Sequence, residues 1–90
     1  MIIVDRPIWS AHGRRWSHLC SDTSFEELHQ FAARLGLPAR AFHRDHYDLP
    51  EVRFDAAVAA GATVVSATDL VRRLRAAGLR RPRHRPPRRA

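Results

Sequence analysis

Apolar positions along the chain fall into short runs and helical stripes that alternate. "IIVD", residues 2–5, is a continuous apolar run closed by Asp5 and reads as a buried strand. Ser24 and Glu27 have the spacing of a capping box. They open a helix through "FEELHQFAARLG", in which Phe25, Leu28, Ala32 and Leu35 share one face and Gly36 supplies the stop. "LPARAF", ending at Phe42, is a weaker second strand. Pro50 suits the first turn of a second helix through "EVRFDAAVAA", with Phe54, Ala57 and Val58 inward and Gly61 as its stop. "TVV" makes a third strand, and Ser66 with Asp69 caps a third helix. That helix turns Leu70, Val71, Leu74 and Ala77 inward, Arg72, Arg73 and Arg75 outward, and stops at Gly78.

The resulting order, β-α-β-α-β-α without an internal repeat, predicts a small α/β domain of two or three layers. Its sheet is expected to be short, three-stranded and parallel, with strand order 2-1-3 if it is flavodoxin-like. Residues 9–22 and the hexapeptide "HRDHYD", residues 43–48, then become loops following the first and second strands. Ligands of open parallel sheets bind beyond the carboxyl ends of the strands, so Asp5, His43 to Asp48 and Ser66 would lie along one edge.

Size and composition narrow the partners. Ninety residues make one domain, over 1–79 here, and a chain of this length buries only about 60 to 65% of its unfolded surface, so a homodimer is a reasonable expectation. Cys20 is the single cysteine, which excludes an internal disulfide and a multi-cysteine zinc site and suits a reducing compartment. "MIIVD" is too short an apolar run for a signal-peptide core and no later stretch reaches membrane-spanning length, so a cytoplasmic location is expected and a membrane partner is not.

The net charge of +7 is unevenly spread. Residues 80–90, "RRPRHRPPRRA", hold six arginines and no acid, leaving ten arginines against nine acids in the body. This segment, which includes His84, is expected to be a disordered basic tail able to engage phosphates. That all sixteen basic residues are arginine fits recognition of phosphate by the guanidinium fork, and equally a GC-rich coding sequence.

Two polar clusters carry the candidate chemistry. The hexapeptide packs two histidines, two aspartates, an arginine and a tyrosine into six positions. The other cluster, in residues 9–22, brings Trp9, His12, Gly13, Arg14, Arg15, Trp16, Ser17 and His18. Gly13 would let the backbone approach an anion, the arginines would clamp it, and the tryptophans would either stack on a base or close the core beneath the loop. "WSAHGRRWSHLCSDTSFEELHQFAARLGL" followed by "FHRDHYDLP" resembles a family of short bacterial and phage proteins known as domain of unknown function 4031. The resemblance covers nearly all of residues 1–79 and implies no particular reaction, cofactor or partner.

The residues themselves leave three readings. Asp5, His43, His46 and Asp48 offer nitrogen and oxygen ligands for a divalent zinc, manganese or iron ion, which would activate water against a phosphoester. Without metal, His46 with Asp48 or Asp45, together with His18, would move protons as acid and base, while His12, Arg14, Arg15, Trp16, Arg44 and Tyr47 bind a nucleotide or nucleic acid. Alternatively, Asp45 and Asp48 cap the next helix or pair with Arg44 or Arg53, and the edge is loop architecture or a protein interface. Cys20 reads as an inert small hydrophobe and His29 as a helix-surface residue. The best-supported expectation is a phosphate-containing ligand at an edge formed by 9–22 and the hexapeptide.

Overall fold

The computed structural model describes residues 1–81. Six strands form one mixed sheet: β1 (Ile2–Val4), β2 (Trp9–Ala11), β3 (Arg14–Ser21), β4 (Phe42–His43), β5 (His46–Pro50) and β6 (Thr63–Val64). The helices are α1 (Phe25–Leu35), α2 (Phe54–Ala59) and α3 (Ala67–Ala76). The strand order is β4-β5-β3-β1-β6, with β2 also paired to β3. All pairings are antiparallel except β1 with β6. The fold is therefore α/β as expected, but the parallel three-stranded sheet is not what forms.

The difference originates in residues 9–22. They are not a loop but a hairpin, and its second strand, β3, is the longest in the sheet and lies at its centre. His12 and Gly13 occupy the two-residue turn with φ of 54° and 75°. Positive φ at both positions is what a tight hairpin between twisted strands requires, and this accounts for Gly13. The hexapeptide is also a hairpin: β4 and β5 pair His43 with His46 across Arg44 and Asp45, and Arg44 has φ 55°. Of the second strand expected from "LPARAF", only Phe42 belongs to β4, after a 3-10 turn at Ala39–Ala41. Pro50 ends β5 and does not open a helix; a 3-10 turn at Glu51–Arg53 delays α2 to Phe54.

Strand alternation distributes the residues between two faces. Ile2, Val4, Leu19, Tyr47 and Leu49 join Leu28, Phe31 and Ala32 of α1 and Ala57 of α2 in the larger core. On the opposite face Ile3 and Cys20 meet Leu70 and Leu74 of α3, with Val71 and Leu79 against them. The domain is thus three-layered. β1 is buried on both sides, which is why it reads as an unbroken apolar run. Ala77, placed inward by sequence spacing, instead caps α3 and is exposed.

Both longer helices begin and end where sequence signals place them. Ser24 Oγ accepts the Glu27 N–H and Ser66 Oγ the Asp69 N–H, each at 3.0 Å. Gly36 takes φ 86° and Leu37 N donates to Ala32 O at 2.9 Å, a left-handed close to α1. Glu27 does not complete the capping box with Ser24. Its carboxylate accepts from the hydroxyl of Ser21, whose oxygen in turn accepts from the backbone N–H groups of Thr23 and Ser24. Ser21 is almost fully buried and locks the end of β3 to the start of α1.

Ser21→Ala should therefore cost about 1–3 kcal/mol, leaving two backbone donors without their acceptor and the Glu27 carboxylate with the Met1 ammonium alone. Ser24→Ala, the loss of an ordinary cap, should cost about 1 kcal/mol. Urea midpoints of the two variants measure the difference, and equal shifts would show that Ser21 is not the junction.

Candidate functional site

Helix α3 is too short to cover its face of the sheet. Leu70 and Leu74 sit over Ile3 and Cys20, and beyond them the same face continues through side chains that alternate with the core: Asp5 past the end of β1, Trp16 and His18 on β3, His46 and Asp48 on β5, His43 on β4 and Trp9 on β2. Cross-strand pairing places His18 opposite Asp48, His43 opposite His46 and Trp9 opposite Trp16. The candidate site is a sheet face, not the loop edge expected from the sequence.

Asp5 is only 2% exposed and spends both oxygens on one residue. Oδ1 accepts the backbone N–H of His18 at 2.6 Å, and Oδ2 lies 2.8 Å from its Nδ1. A carboxylate only accepts, so Nδ1 carries a proton, and Nε2 is the ring nitrogen that Asp5 leaves unengaged. The His18 side chain retains 34% exposure.

His46 is held from both ends. Its Nδ1 is 2.9 Å from Asp45 Oδ1 and its Nε2 3.1 Å from Asp48 Oδ1. Both nitrogens face acceptors, so both donate, as only imidazolium can. Burial opposes that charge, but hydrogen bonds and attraction from Asp48 and Asp45 outweigh it and hold the His46 pKa above the ordinary histidine value. Burial likewise pushes the Asp48 carboxyl up, and the His46 hydrogen bond with the neighbouring imidazoles more than reverses it, leaving Asp48 below the usual carboxylate value. His43 Nε2 approaches the other oxygen of Asp48 at 3.4 Å.

Asp45 is fully buried although it occupies a hairpin turn. Its second oxygen accepts the backbone N–H of Arg81 at 2.8 Å and faces Arg80 Nη1 at 3.4 Å. Arg80 and Arg81, expected in the basic tail, thus attach to the site; residues 82–90 of that tail, His84 included, lie outside the described residues. Asp45 and Asp48 cap no helix and do not pair with Arg44 or Arg53; they bracket His46.

A cleft of about 300 Å³ opens between Trp9, His18, His43, Arg44, His46 and Asp48. Aromatic rings run continuously along it, with centroid separations of 5.9 Å for Trp16–Trp9, 5.4 Å for Trp9–His18 and 5.0 Å for His18–His46. Trp9 is therefore sandwiched between Trp16 and His18, and the Arg14 guanidinium lies 5.9 Å from the Trp16 ring. The tryptophans stack on each other, which fits wall-building better than a platform for a base. His12 does not reach His18; it lines a neighbouring groove with Trp16, Arg40, His43 and Asp48.

Other candidates lie elsewhere. Tyr47 points to the α1 face, where its hydroxyl meets His29 Nδ1 at 2.7 Å, so neither belongs to the cleft. Arg15 is exposed and alternates away from Arg14 and Trp16. Among the described residues no group of three or more His, Cys, Asp or Glu side chains is arranged to hold a metal ion. Asp5, proposed as a ligand with His43, His46 and Asp48, is engaged by His18 instead. Burial pushes the Cys20 thiol far up, which fits the inert reading.

Sequence reasoning undervalued Asp45, left Trp9 between stacking on a base and closing the core, and did not place Arg80 and Arg81 at the site. The available signal was the period of two in "WSHLC" and "HYDL", which places Trp16, His18 and Cys20 on one side of a strand and His46 with Asp48 on the same side of the next. Residues 2–77 match the family model described as protein of unknown function (DUF4031), and the chain belongs to that family. No curated protein and no solved structure matches the chain.

In a histidine-resolved NMR titration, His46 should have its midpoint above 6.5, and Asp48→Asn should lower it. A raised folded-state pKa means that its stabilisation is complete below the unfolded value and disappears as pH rises through the folded one; the depressed Asp48 loses its contribution as pH falls through its own. A midpoint at or below 6.5 would contradict the double-carboxylate clamp. Cys20 should resist iodoacetamide in the native protein and react on unfolding.

Proposed function

We propose that the cleft binds a phosphate-containing ligand, and that His18 is its proton-transfer group. The observation that carries this reading is the Asp5–His18 pair: a buried carboxylate holds Nδ1 and leaves Nε2 unengaged by it, on a ring that lines the cleft 5.0 Å by ring centroid from His46, a histidine clamped as a cation. A base with a guanidinium at the same cleft is what general base catalysis with anion stabilisation requires, and Arg44 is that cation. His43 supplies a further donor around the cleft. Asp48, the one acid at its rim, is answered by His43 and His46.

On a phosphoester the chemistry follows directly. Nε2 takes a proton from water as its oxygen bonds to phosphorus. Charge developing on the phosphoryl oxygens is met by the Arg44 guanidinium. As the ester P–O bond breaks, the leaving oxygen takes the proton back from His18, leaving phosphate and the free alcohol. Nucleotides and nucleic acids both carry such groups.

Metal-assisted hydrolysis through Asp5, His43, His46 and Asp48 is the alternative. His43 and His46 both turn Nε2 toward Asp48, which favours it; the engagement of Asp5 with His18 and of Nε2 of His46 with Asp48 counts the other way.

Titration of the full chain with inorganic phosphate should move the ring signals of His18 and His46, and Arg44→Ala should weaken the response. No movement at tens of millimolar phosphate would overturn the reading. With p-nitrophenyl phosphate as a model ester, His18→Gln should lower turnover by about 10² to 10⁴-fold, the usual share of a general base. Turnover abolished by chelator and restored by zinc or manganese would transfer the chemistry to the metal reading.

A further inference from the structure

Helix α3 covers Ile3 and Cys20 and leaves the sheet face open where β2, β4, β5 and the start of β3 carry their polar side chains. The cleft occupies only part of that face. Toward the β2–β3 turn it continues as an open groove of about 490 Å³, and Trp9, His43 and Asp48 line both compartments. Trp9 and Trp16, both half-buried, wall the groove, and the exposed side chains of His12 and Arg40 edge it. Arg14, also exposed, stands over the Trp16 ring. An exposed guanidinium needs no partner, so the distribution of these groups is what informs. Arg14, Arg40 and Arg44 make no ion pair among the described residues, whereas Arg72, Arg73 and Arg80 face Asp69, Asp22 and Asp45. The one acid that lines cleft or groove, Asp48, is taken up by His43 and His46. Positive charge is thus set beside accessible aromatic rings with no free carboxylate between them.

Resting on the reading of the cleft as a phosphate site, we infer that cleft and groove together are the track of a single-stranded nucleic acid, with one phosphate at Arg44 and the adjoining nucleotides laid along the groove past Arg40 to Arg14. Length is the first argument. Arg14 and His18 are four residues apart on β3, roughly 13 Å at the rise of an extended strand, so the one phosphate of a mononucleotide held in the cleft leaves the cations of the groove without an anion. A polynucleotide brings a phosphate with every nucleotide. Wall chemistry is the second argument. Bases are flat and apolar on their faces and hang from a charged backbone, and a basic groove with aromatic side chains is how single strands are held without reading their sequence. Shape is the third. A duplex keeps its bases stacked inside and offers phosphates and groove edges, which would leave the indole wall with nothing to meet. An acidic peptide would answer the arginines and not the indoles.

The test is fluorescence anisotropy of the full chain with labelled oligothymidylate and oligouridylate of eight residues, a hairpin with a stem of eight base pairs, and an octaglutamate peptide, beside a histidine-resolved NMR titration with inorganic phosphate. Either single strand should bind at least about tenfold more tightly than hairpin or peptide, and should move the ring signals of His18 and His46 as phosphate does. Arg14→Ala and Arg40→Ala, both at exposed positions, should each reduce the slope of log affinity against log salt by about 0.7, the share of one phosphate contact on a single strand. Arg15→Ala, exposed on the other side of β3, should leave affinity and slope unchanged. Single-strand affinity that survives the loss of Arg14 and Arg40, that falls equally with Arg15, or that hairpin or peptide matches overturns the inference while leaving the cleft standing. Binding that depends on Arg14 and Arg40 while phosphate leaves His18 and His46 unmoved instead removes the cleft reading, and with it the continuous track.

Discussion

Two buried carboxylates govern the more polar half of this domain. Asp5 and Asp45 are almost without solvent contact, and an isolated carboxylate so placed would cost several kcal/mol. Each must be surrounded by donors, and the donors determine the arrangement. Asp5 takes the backbone and the ring of His18, which aligns the centre of β3 with the end of β1. Asp45 takes His46 on one side and the backbone of Arg81 on the other, which ties the β4–β5 hairpin to the chain beyond α3. His46 then needs a second acceptor for its other nitrogen and finds Asp48 on its own strand. A site with two differently prepared histidines results from the need to leave no charge unanswered.

How much of this was legible depended on whether local or long-range forces set each element. α1 and α3 were legible to their ends, because Ser24, Ser66 and Gly36 act through hydrogen bonds three or four residues away. β1 was legible because both of its faces are buried. β3 was not, since one of its faces carries Trp16, His18 and the rest of a polar cluster, so its apolar period is broken where the candidate site lies. Once β3 was read as loop, antiparallel pairing had no partner to form with, and a parallel sheet was the remaining solution.

The candidate site was legible in membership more than in geometry. His18, His46 and Asp48 were identified by residue type and do meet. Tyr47 and His29 show what residue type alone misses: strand alternation sends Tyr47 through to the other core, where the two bind each other. Asp45 was undervalued because a turn aspartate ordinarily caps or solvates. Its role depends on Arg80 and Arg81, 35 and 36 residues away, and no local pattern reports such a contact.

The bond between Asp45 and the backbone of Arg81 also sets an order of events during synthesis. β1, β3 and β5 can pair as soon as residue 50 has left the ribosome, and β6 joins β1 some fourteen residues later. Until residues 79–81 follow α3 out, Asp45 keeps only one of its partners, and His46 is clamped against a carboxylate still open to water. The Asp45 partners at residues 80 and 81 are thus the last part of the polar face to be synthesised, and its electrostatics are completed last. A nascent chain would already carry every histidine of the cleft and still lack the enclosure in which Asp45 is buried against His46.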